Sequence, residues 1–168
     1  MDKLWAPWRM EYIKGPKKEG CIFCTKAGED RDRDNLILYR GDRAFVLMNL
    51  YPYSNGHLMV APYDHLGEIE QLSADVRIEM FDLVERCVRV LKETMSPQGF
   101  NIGINLGSVA GAGVRDHVHI HVVPRWNGDT NFMTVLGEVR VISDHIYSTY
   151  DQLVGSFKSG SEREREGD

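Results

Sequence analysis

The sequence lacks a long apolar run and has very few cysteines. No stretch of about 18 consecutive apolar residues occurs, so no transmembrane helix is predicted. Three cysteines are too few for a disulfide framework. The first residues also lack the apolar core and the small-residue cleavage site of a secretory signal. Together these absences predict a cytoplasmic protein with no membrane partner.

The sequence also has no excess of positively charged residues. The formal net charge is −5 over 168 residues, which disfavours a broad nucleic-acid-binding surface. We therefore expect no nucleic acid polymer as a partner, although a small basic pocket could still bind an anion. With 42% hydrophobic residues, a chain of this length is expected to fold as one domain with a sizeable core.

The residue pattern along the chain indicates an α+β fold. Residues 35–63 predict three strands, the first two joined by a turn at Gly41. Ser73 is the predicted N-cap of a long amphipathic helix, which should end at Pro97. After this helix, two further alternating segments predict two more strands. The expected fold is a mainly antiparallel sheet of about five strands with one long helix and shorter helices.

The predicted organisation is a single domain over residues 1–157. It consists of an N-terminal segment 1–28, a core 35–135 and a C-terminal helical segment 137–157. Residues 158–168 contain almost nothing apolar, and we expect a disordered tail there.

Three histidines alternate with apolar residues in the stretch RDHVHIHVVPRW. On a strand His117, His119 and His121 point to one face, and the intervening apolar side chains point to the core. A purely structural role is hard to sustain, because stacked imidazoles gain little in water and repel one another when protonated. The pattern leaves a histidine metal cluster, or a nucleophile with hydrogen-bond donors for an anionic substrate. A divided role fits better than metal binding by all three, since same-face neighbours lie about 6.5–7 Å apart.

A glycine-rich stretch, GSVAGAG, comes shortly before the histidines. Backbone N–H groups of such a loop can approach a phosphate closely because few side chains intervene. Joined to the histidine strand, the loop favours a phosphate-bearing substrate.

The form His-φ-His-φ-His-φ-φ, with φ apolar, resembles the motif of the histidine triad superfamily of nucleotide-binding hydrolases and transferases. The segments CIFC, FVLMNLYPYSNGHLMVAPYDH, GFNIGINLG and HVHIHVVPRWNGDTNF are similar to segments of that superfamily in the same order, over residues 20–135. The opening LWAPWRMEYI is closer to the diadenosine tetraphosphate phosphorylase branch and its fragile-histidine-triad relatives than to the nucleoside phosphoramidases. The resemblance implies a symmetric homodimer with joined sheets and attack of the middle histidine on a nucleotide α-phosphate.

The resemblance also implies roles for individual residues. His119 takes the nucleophile position, where a nucleotidyl-histidine intermediate forms and is opened by water or phosphate. His121 and His57 resemble the histidines that hydrogen-bond the α-phosphate oxygens. The remaining residues implied to bind substrate are Asn49, Asn105, Gly107, Ser108 and Gly113. The two asparagines could equally be turn or strand-end residues.

Trp126 follows the histidine strand and has two interpretations. Its ring could stack on an adenine or line the substrate pocket, or it could be a half-buried anchor at the end of a strand.

The segment CIFC places Cys21 and Cys24 at the spacing of a zinc knuckle, which needs two more ligands. The candidates are His65 and His117, and several superfamily members are similar in this combination. A structural Zn²⁺ is therefore expected, and no organic cofactor. A plain thiol pair or a redox CxxC are the alternatives, although no βαβ context surrounds this one.

The stretch before the triad departs from the phosphoramidate-cleaving members and from some phosphorylases, which carry Ser, Thr or Gln there. Here Arg115 and Asp116 are the only polar side chains immediately before His117. A polyphosphate leaving group needs no acid assistance, so a dinucleoside polyphosphate is the expected substrate. The alternatives are a non-catalytic nucleotide-sensing or interaction module, a nucleoside phosphoramidase-type hydrolase, and a catalytic zinc hydrolase.

Overall fold

The computed structural model describes residues 20–129 and 145–165 of the chain. Five strands follow one another as β1 Ile37–Arg40, β2 Ala44–Met48, β3 Leu58–Pro62, β4 Gly99–Ile104 and β5 Ile120–Arg125. The helices are α1 Ile22–Gly28, α2 Asp32–Asn35, α3 Ala74–Met95 and α4 Ile146–Arg165. Short 3₁₀ turns lie at Ile69–Gln71 and Ser108–Ala110.

The strands form one antiparallel sheet in the order β1-β2-β3-β5-β4. Helix α3 lies in the connection between β3 and β4, so β4 joins the sheet on the far side of β5. This architecture confirms the predicted α+β fold with five strands, one long helix and shorter helices.

The strands β2 and β3 alternate between two buried faces. Val46 and Val60 belong to the larger core, which α3 and α4 cover, and we call this side the helix face. Phe45 and Ala61 belong to a smaller cluster with Phe23 of α1, and we call this side the α1 face. Because β2 and β3 are covered on both faces, they are apolar throughout.

Helix α3 begins and ends where the sequence predicts. The Ser73 side chain accepts a hydrogen bond from the backbone N–H of Val76 at 3.3 Å, as an N-cap does. The helix ends at Ser96, which has a left-handed φ of 48° and precedes proline. Cys87 lies on the apolar stripe and is fully buried, and this burial raises the pKa of its thiol.

Helix α4 packs against α3 and β1. The Tyr150 hydroxyl donates to the carbonyl of Ile37 at 2.9 Å. The Arg86 guanidinium lies 4.0 Å from the centre of the Tyr39 ring and donates to the carbonyl of Phe157 at 2.6 Å. These contacts hold the C-terminal helix α4 against α3 and the edge strand β1.

The ends of the predicted domain differ in part from the structure. Helix α4 starts at Ile146 and continues to Arg165, whereas the sequence predicts helix over 137–157 and disorder from residue 158. Glutamate and arginine are good helix formers, which favours the extension despite the lack of apolar residues there. Residues 1–19, 130–144 and 166–168 lie outside the described residues, and with them most of the segment 1–28 and the end of the core 35–135.

Among the helices of the described ranges, none is long and apolar enough to cross a bilayer.

Candidate active site and metal cluster

The histidine stretch carries its side chains on alternate faces, as predicted. Val118, Ile120 and Val122 are buried in the core of the helix face. His117 and His119 point the other way, where their rings contact Phe23 on the α1 face. The strand β5 itself begins at Ile120, so the first two histidines lie in the extended segment that leads into it.

The backbone selects the tautomer of His119. Its Nδ1 lies 3.0 Å from the carbonyl oxygen of His117. A carbonyl only accepts hydrogen bonds, so Nδ1 carries the proton and Nε2 keeps a lone pair in the neutral ring. Burial lowers the pKa of His119, and the hydrogen bond to the His117 carbonyl offsets this only in part. The lone pair of the neutral ring is therefore on Nε2, the arrangement that nucleophilic attack by an imidazole requires.

His119 is more buried than is expected for a side chain on the exposed face of a strand. Only 5% of its surface is exposed. The Phe23 ring covers it, with 4.7 Å between ring centroids, and the His121 ring lies 4.8 Å away.

His57 and His121 form a directional pair. The Nδ1 atom of His57 accepts the backbone N–H of Tyr53 at 3.1 Å, so in the neutral ring the proton is on Nε2. That Nε2 lies 2.9 Å from Nδ1 of His121 and donates to it, which in turn places the His121 proton on Nε2. The Tyr53 ring stacks on His57 at 4.7 Å.

This pairing changes the role expected for His57. Both of its ring nitrogens are engaged within the protein, and the residue is fully buried. These contacts allow His57 to orient the His121 ring, while its predicted hydrogen bond to a phosphate stays a prediction.

Asn49 lies at the same cluster and organises the loop beside it. Its side-chain oxygen accepts the backbone N–H of Tyr51 at 3.0 Å, and its amide nitrogen lies 3.3 Å from Nδ1 of His57. Both contacts match a turn-forming asparagine, the simpler of its two interpretations. The loop in turn supplies the Tyr53 N–H that selects the His57 tautomer.

The edge strand leaves open space beside His121. Gly103 pairs with His121 in the register of β4 and β5. A Cβ added at Gly103 would meet nothing within 4 Å, and glycine inside a strand often permits close approach of a ligand. Asn105 follows the strand, one residue beyond the pair Ile104 and Ile120.

The predicted phosphate loop follows Asn105. Gly107 and Gly111 have φ of 76° and 84°, a conformation that favours glycine, and they flank the turn that starts at Ser108. Ser108 and Gly113 are exposed. The loop thus comes back to the histidines from the open side of the sheet.

Trp126 lies apart from this cluster. Its indole Nε1 donates to the carbonyl of Met95 at 3.3 Å, at the C-terminal end of α3. The last carbonyls of a helix have no intrahelical partner, so a side-chain donor stabilises the helix end. This contact supports the anchor interpretation, and stacking on an adenine stays a prediction.

Cys21, Cys24, His65 and His117 come together as predicted. Their ligand atoms all lie within 4.8 Å of one another. Nδ1 of His117 is 3.2 Å from Sγ of Cys21 and 3.3 Å from Nδ1 of His65, and Sγ of Cys24 is 3.4 Å from Nδ1 of His65. Tetrahedral zinc with these donors separates its ligand atoms by about 3.3–3.8 Å, so the four residues fit a metal of this kind.

The metal-facing nitrogen of His117 is also set by the backbone. Its Nε2 lies 2.9 Å from the carbonyl of Pro62 and donates to it, so the lone pair of Nδ1 faces the cysteines. The first triad histidine thereby joins the candidate metal cluster, while the rings of the second and third lie 4.8 Å from each other.

Sequence reasoning missed three residues of this site. Phe23 was treated only as a spacer between the two cysteines. Tyr53 acts through its backbone N–H, which the sequence pattern does not indicate. Gly103 had a detectable signal, because a glycine in a strand pattern indicates close approach of another group.

Comparison with known proteins assigns the family. Residues 30–128 match the HIT domain model. The chain is 38% identical over 157 residues to AP-4-A phosphorylase of Mycobacterium tuberculosis, covering 89% of this chain and 80% of the relative. It is 27% identical over 127 residues to asymmetrical bis(5'-nucleosyl)-tetraphosphatase of Schizosaccharomyces pombe, covering 76% and 66%. The chain belongs to the HIT family, which confirms the resemblance of its histidine motif.

Solved structures agree on the fold. A zinc-bound histidine triad family protein of Mycobacterium smegmatis superposes with a TM-score of 0.68 at 23% identity, covering 86% of this chain and 97% of that one. The five-stranded sheet with its long helix is therefore the HIT fold.

Proposed function

We propose that this chain is a HIT-family enzyme that transfers a nucleotidyl group from a dinucleoside polyphosphate through His119. The observation that carries the proposal is the tautomer of His119. Its Nδ1–H is held by the carbonyl of His117, so the lone pair of the neutral ring is on Nε2. Neutral imidazole fixed in this way is an effective nucleophile toward phosphorus.

The proposed reaction has two steps. In the first, Nε2 of His119 forms a bond to the α-phosphorus as the bond to the bridging oxygen breaks, and the nucleoside polyphosphate leaves with the electron pair. In the second, an oxygen of water or inorganic phosphate attacks the phosphorus, and Nε2 leaves with its pair. The carbonyl of His117 stabilises the positive charge on the ring between the two steps.

His121 supplies the hydrogen bond to the phosphoryl oxygens in this proposal. The pair with His57 places its proton on Nε2, and Gly103 leaves space beside the ring. Donors that are fixed before charge develops lower the barrier without reorganisation. His57 acts as a positioning residue, and the loop after Asn105 provides backbone N–H groups for the remaining phosphates.

The substrate class follows from the leaving group and from the relatives. Arg115 and Asp116 are exposed, and within residues 20–129 and 145–159 no aspartate or glutamate is buried that could protonate a poor leaving group. The names of the two curated relatives, a phosphorylase of diadenosine tetraphosphate and an asymmetrical tetraphosphatase, support a dinucleoside polyphosphate. The higher identity to the phosphorylase favours phosphate over water as the acceptor.

We further propose that Cys21, Cys24, His65 and His117 hold a structural Zn²⁺. The spacing of their donor atoms supports this, and the Mycobacterium smegmatis neighbour is itself described as zinc-bound. When bound, the ion would tie the first turn of α1 to the sheet. It leaves the chemistry to the other two triad histidines, and no organic cofactor is needed.

A homodimer and a cytoplasmic location complete the proposal. Within the described residues β4 is an edge strand, and its Ile102 is 47% exposed. An edge that pairs with a second copy removes exposed strand hydrogen-bonding groups. Reduced cysteines in a metal cluster suit a reducing compartment.

The direct test is a product assay on diadenosine tetraphosphate with and without inorganic phosphate. ADP and ATP formed only with phosphate indicate phosphorolysis, and AMP with ATP indicates hydrolysis. A phosphorus-linked His119 peptide trapped from the reaction would support the covalent step. Binding of nucleotides without turnover of any dinucleotide or phosphoramidate would contradict the proposed enzymatic activity and favour a nucleotide-sensing module.

A further inference from the structure

Phe23 links the metal cluster to the proposed nucleophile. It lies between the two cysteines of the CIFC segment and is only 1% exposed. Its ring centroid is 5.0 Å from that of His117 and 4.7 Å from that of His119, tilted 40° to each. One side chain therefore contacts both a candidate metal ligand and the imidazole proposed to attack phosphorus.

The helix that carries Phe23 depends on tertiary contacts. Helix α1 has seven residues, and helices of this length are marginal in water by themselves. Its C-terminal end is held by Arg40, which donates to the carbonyls of Ala27 at 2.7 Å and Glu29 at 2.8 Å. The N-cap Cys21 makes no side-chain capping hydrogen bond. The first turn instead contains the two cysteines of the metal cluster.

The cover over His119 limits where that ring can go. The hydrogen bond to the His117 carbonyl fixes the tautomer. A closely packed neighbour additionally removes alternative rotamers, because the space they need is occupied. Without the Phe23 ring, the imidazole would be open to water on the side that Phe23 now fills.

We propose that Phe23 is a positioning residue for His119 and that the metal cluster controls it. Metal on the cysteines holds the first turn of α1, and with it the Phe23 ring, against His119; loss of the metal releases both. This inference rests on the proposed function only in naming His119 the nucleophile.

The test measures how fast diethyl pyrocarbonate modifies His119 in the zinc-loaded full-length chain, with the site located by fragment mass spectrometry. Phe23→Ala should raise this rate about tenfold, because the cover is lost locally. Phe23→Leu should restore a rate near that of the unmodified chain, since a branched apolar side chain still fills the space. Ile22→Ala is the matched control, because it removes the other apolar side chain between the same cysteines.

Two further measurements separate positioning from damage to the fold or the metal site. Cobalt(II) absorption bands should be the same in all variants, which shows that the cysteine and histidine ligands are intact. Metal-free unmodified chain should expose His119 as much as Phe23→Ala does, with its far-ultraviolet circular dichroism preserved. Readdition of zinc should restore protection. The metal-free comparison needs no variant, so it tests the proposal even if Phe23→Ala fails to fold.

Three results would overturn the proposal. The first is an equal rate of His119 modification in Phe23→Ala and in the unmodified chain. The second is a rate in Ile22→Ala as high as that in Phe23→Ala. The third is a metal-free chain that keeps His119 protected from modification or that unfolds globally. Failure of the proposed function looks different, since it would be an absence of dinucleotide turnover by the zinc-loaded chain whatever the modification rates are.

Discussion

The two faces of the sheet are buried by different means. The helix face is covered by two long helices and consists of aliphatic residues such as Val46, Val60 and Val122. The α1 face is covered by a seven-residue helix, and beside its apolar cluster lie the histidines. Stability is thus concentrated on one side of the sheet and chemistry on the other. A nucleophile must be reachable by substrate, so its cover has to be small.

His119→Ala should give the largest difference between the effect on activity and the effect on stability. We expect kcat to fall about 10⁴-fold or more, because the covalent path is lost, while the helix face keeps the chain folded. Product assays and thermal unfolding measure the two effects. His145→Ala is the control, an exposed histidine at the start of α4. Turnover retained by His119→Ala would contradict the proposed nucleophile.

Removal of the metal should weaken the α1 face specifically. If zinc is bound at about a thousand times its dissociation constant, chelation costs about 4 kcal/mol of unfolding free energy. Denaturant unfolding with and without chelator measures this loss, and zinc should reverse it. An unchanged unfolding midpoint would mean that the four ligands hold no stabilising ion.

A cavity on the helix face should lower the stability of the chain and leave its activity unchanged, whereas His119→Ala should do the reverse. Leu153 is fully buried on the core-facing side of α4, and Leu153→Ala should cost about 3 kcal/mol of unfolding free energy. The folded fraction should keep its kcat, since Leu153 belongs to the helix-face core. Denaturant curves and kcat per folded molecule check both statements. A loss of kcat at full folding would show that the two faces are coupled.

The smallest of these effects is expected for His57→Ala. It removes the donor to Nδ1 of His121, and a lost hydrogen-bond partner of this kind is worth about 1–3 kcal/mol, or about 10- to 100-fold in kcat. KM should change little if His121 stabilises the transition state more than the substrate. His57→Gln, whose amide can donate, should recover part of the rate. A change in KM alone would assign His57 to substrate binding.

Local signals explain why much of the fold was predictable. Ser73 caps α3, Ser96-Pro97 ends it, and the alternation through Val118 and Ile120 separates core from site. The ligand spacing of Cys21 and Cys24 needs only neighbouring residues, and the two placed histidines completed the set correctly. Residues 158–165 show where two local signals differ, because low apolar content predicts a disordered tail while their glutamates and arginines are good helix formers.

The roles of single side chains were less predictable, because they depend on partners far away in the chain. His57 meets His121 across 64 positions, and Trp126 meets the end of α3 across 31. Their spacing in the sequence contains no information about these contacts. The same holds for Phe23, whose ring covers a histidine almost a hundred positions later.

The sequence by itself determined the alternation of polar and apolar faces, the long helix, the four residues of the candidate metal cluster and the family, since each depends on short-range periodicity or motif spacing. Only the tertiary structure decided which nitrogen of each imidazole carries its proton, that His119 is covered, and that Trp126 belongs to a helix end. Those properties arise from hydrogen bonds and packing between distant segments, and they exist only once the chain has folded.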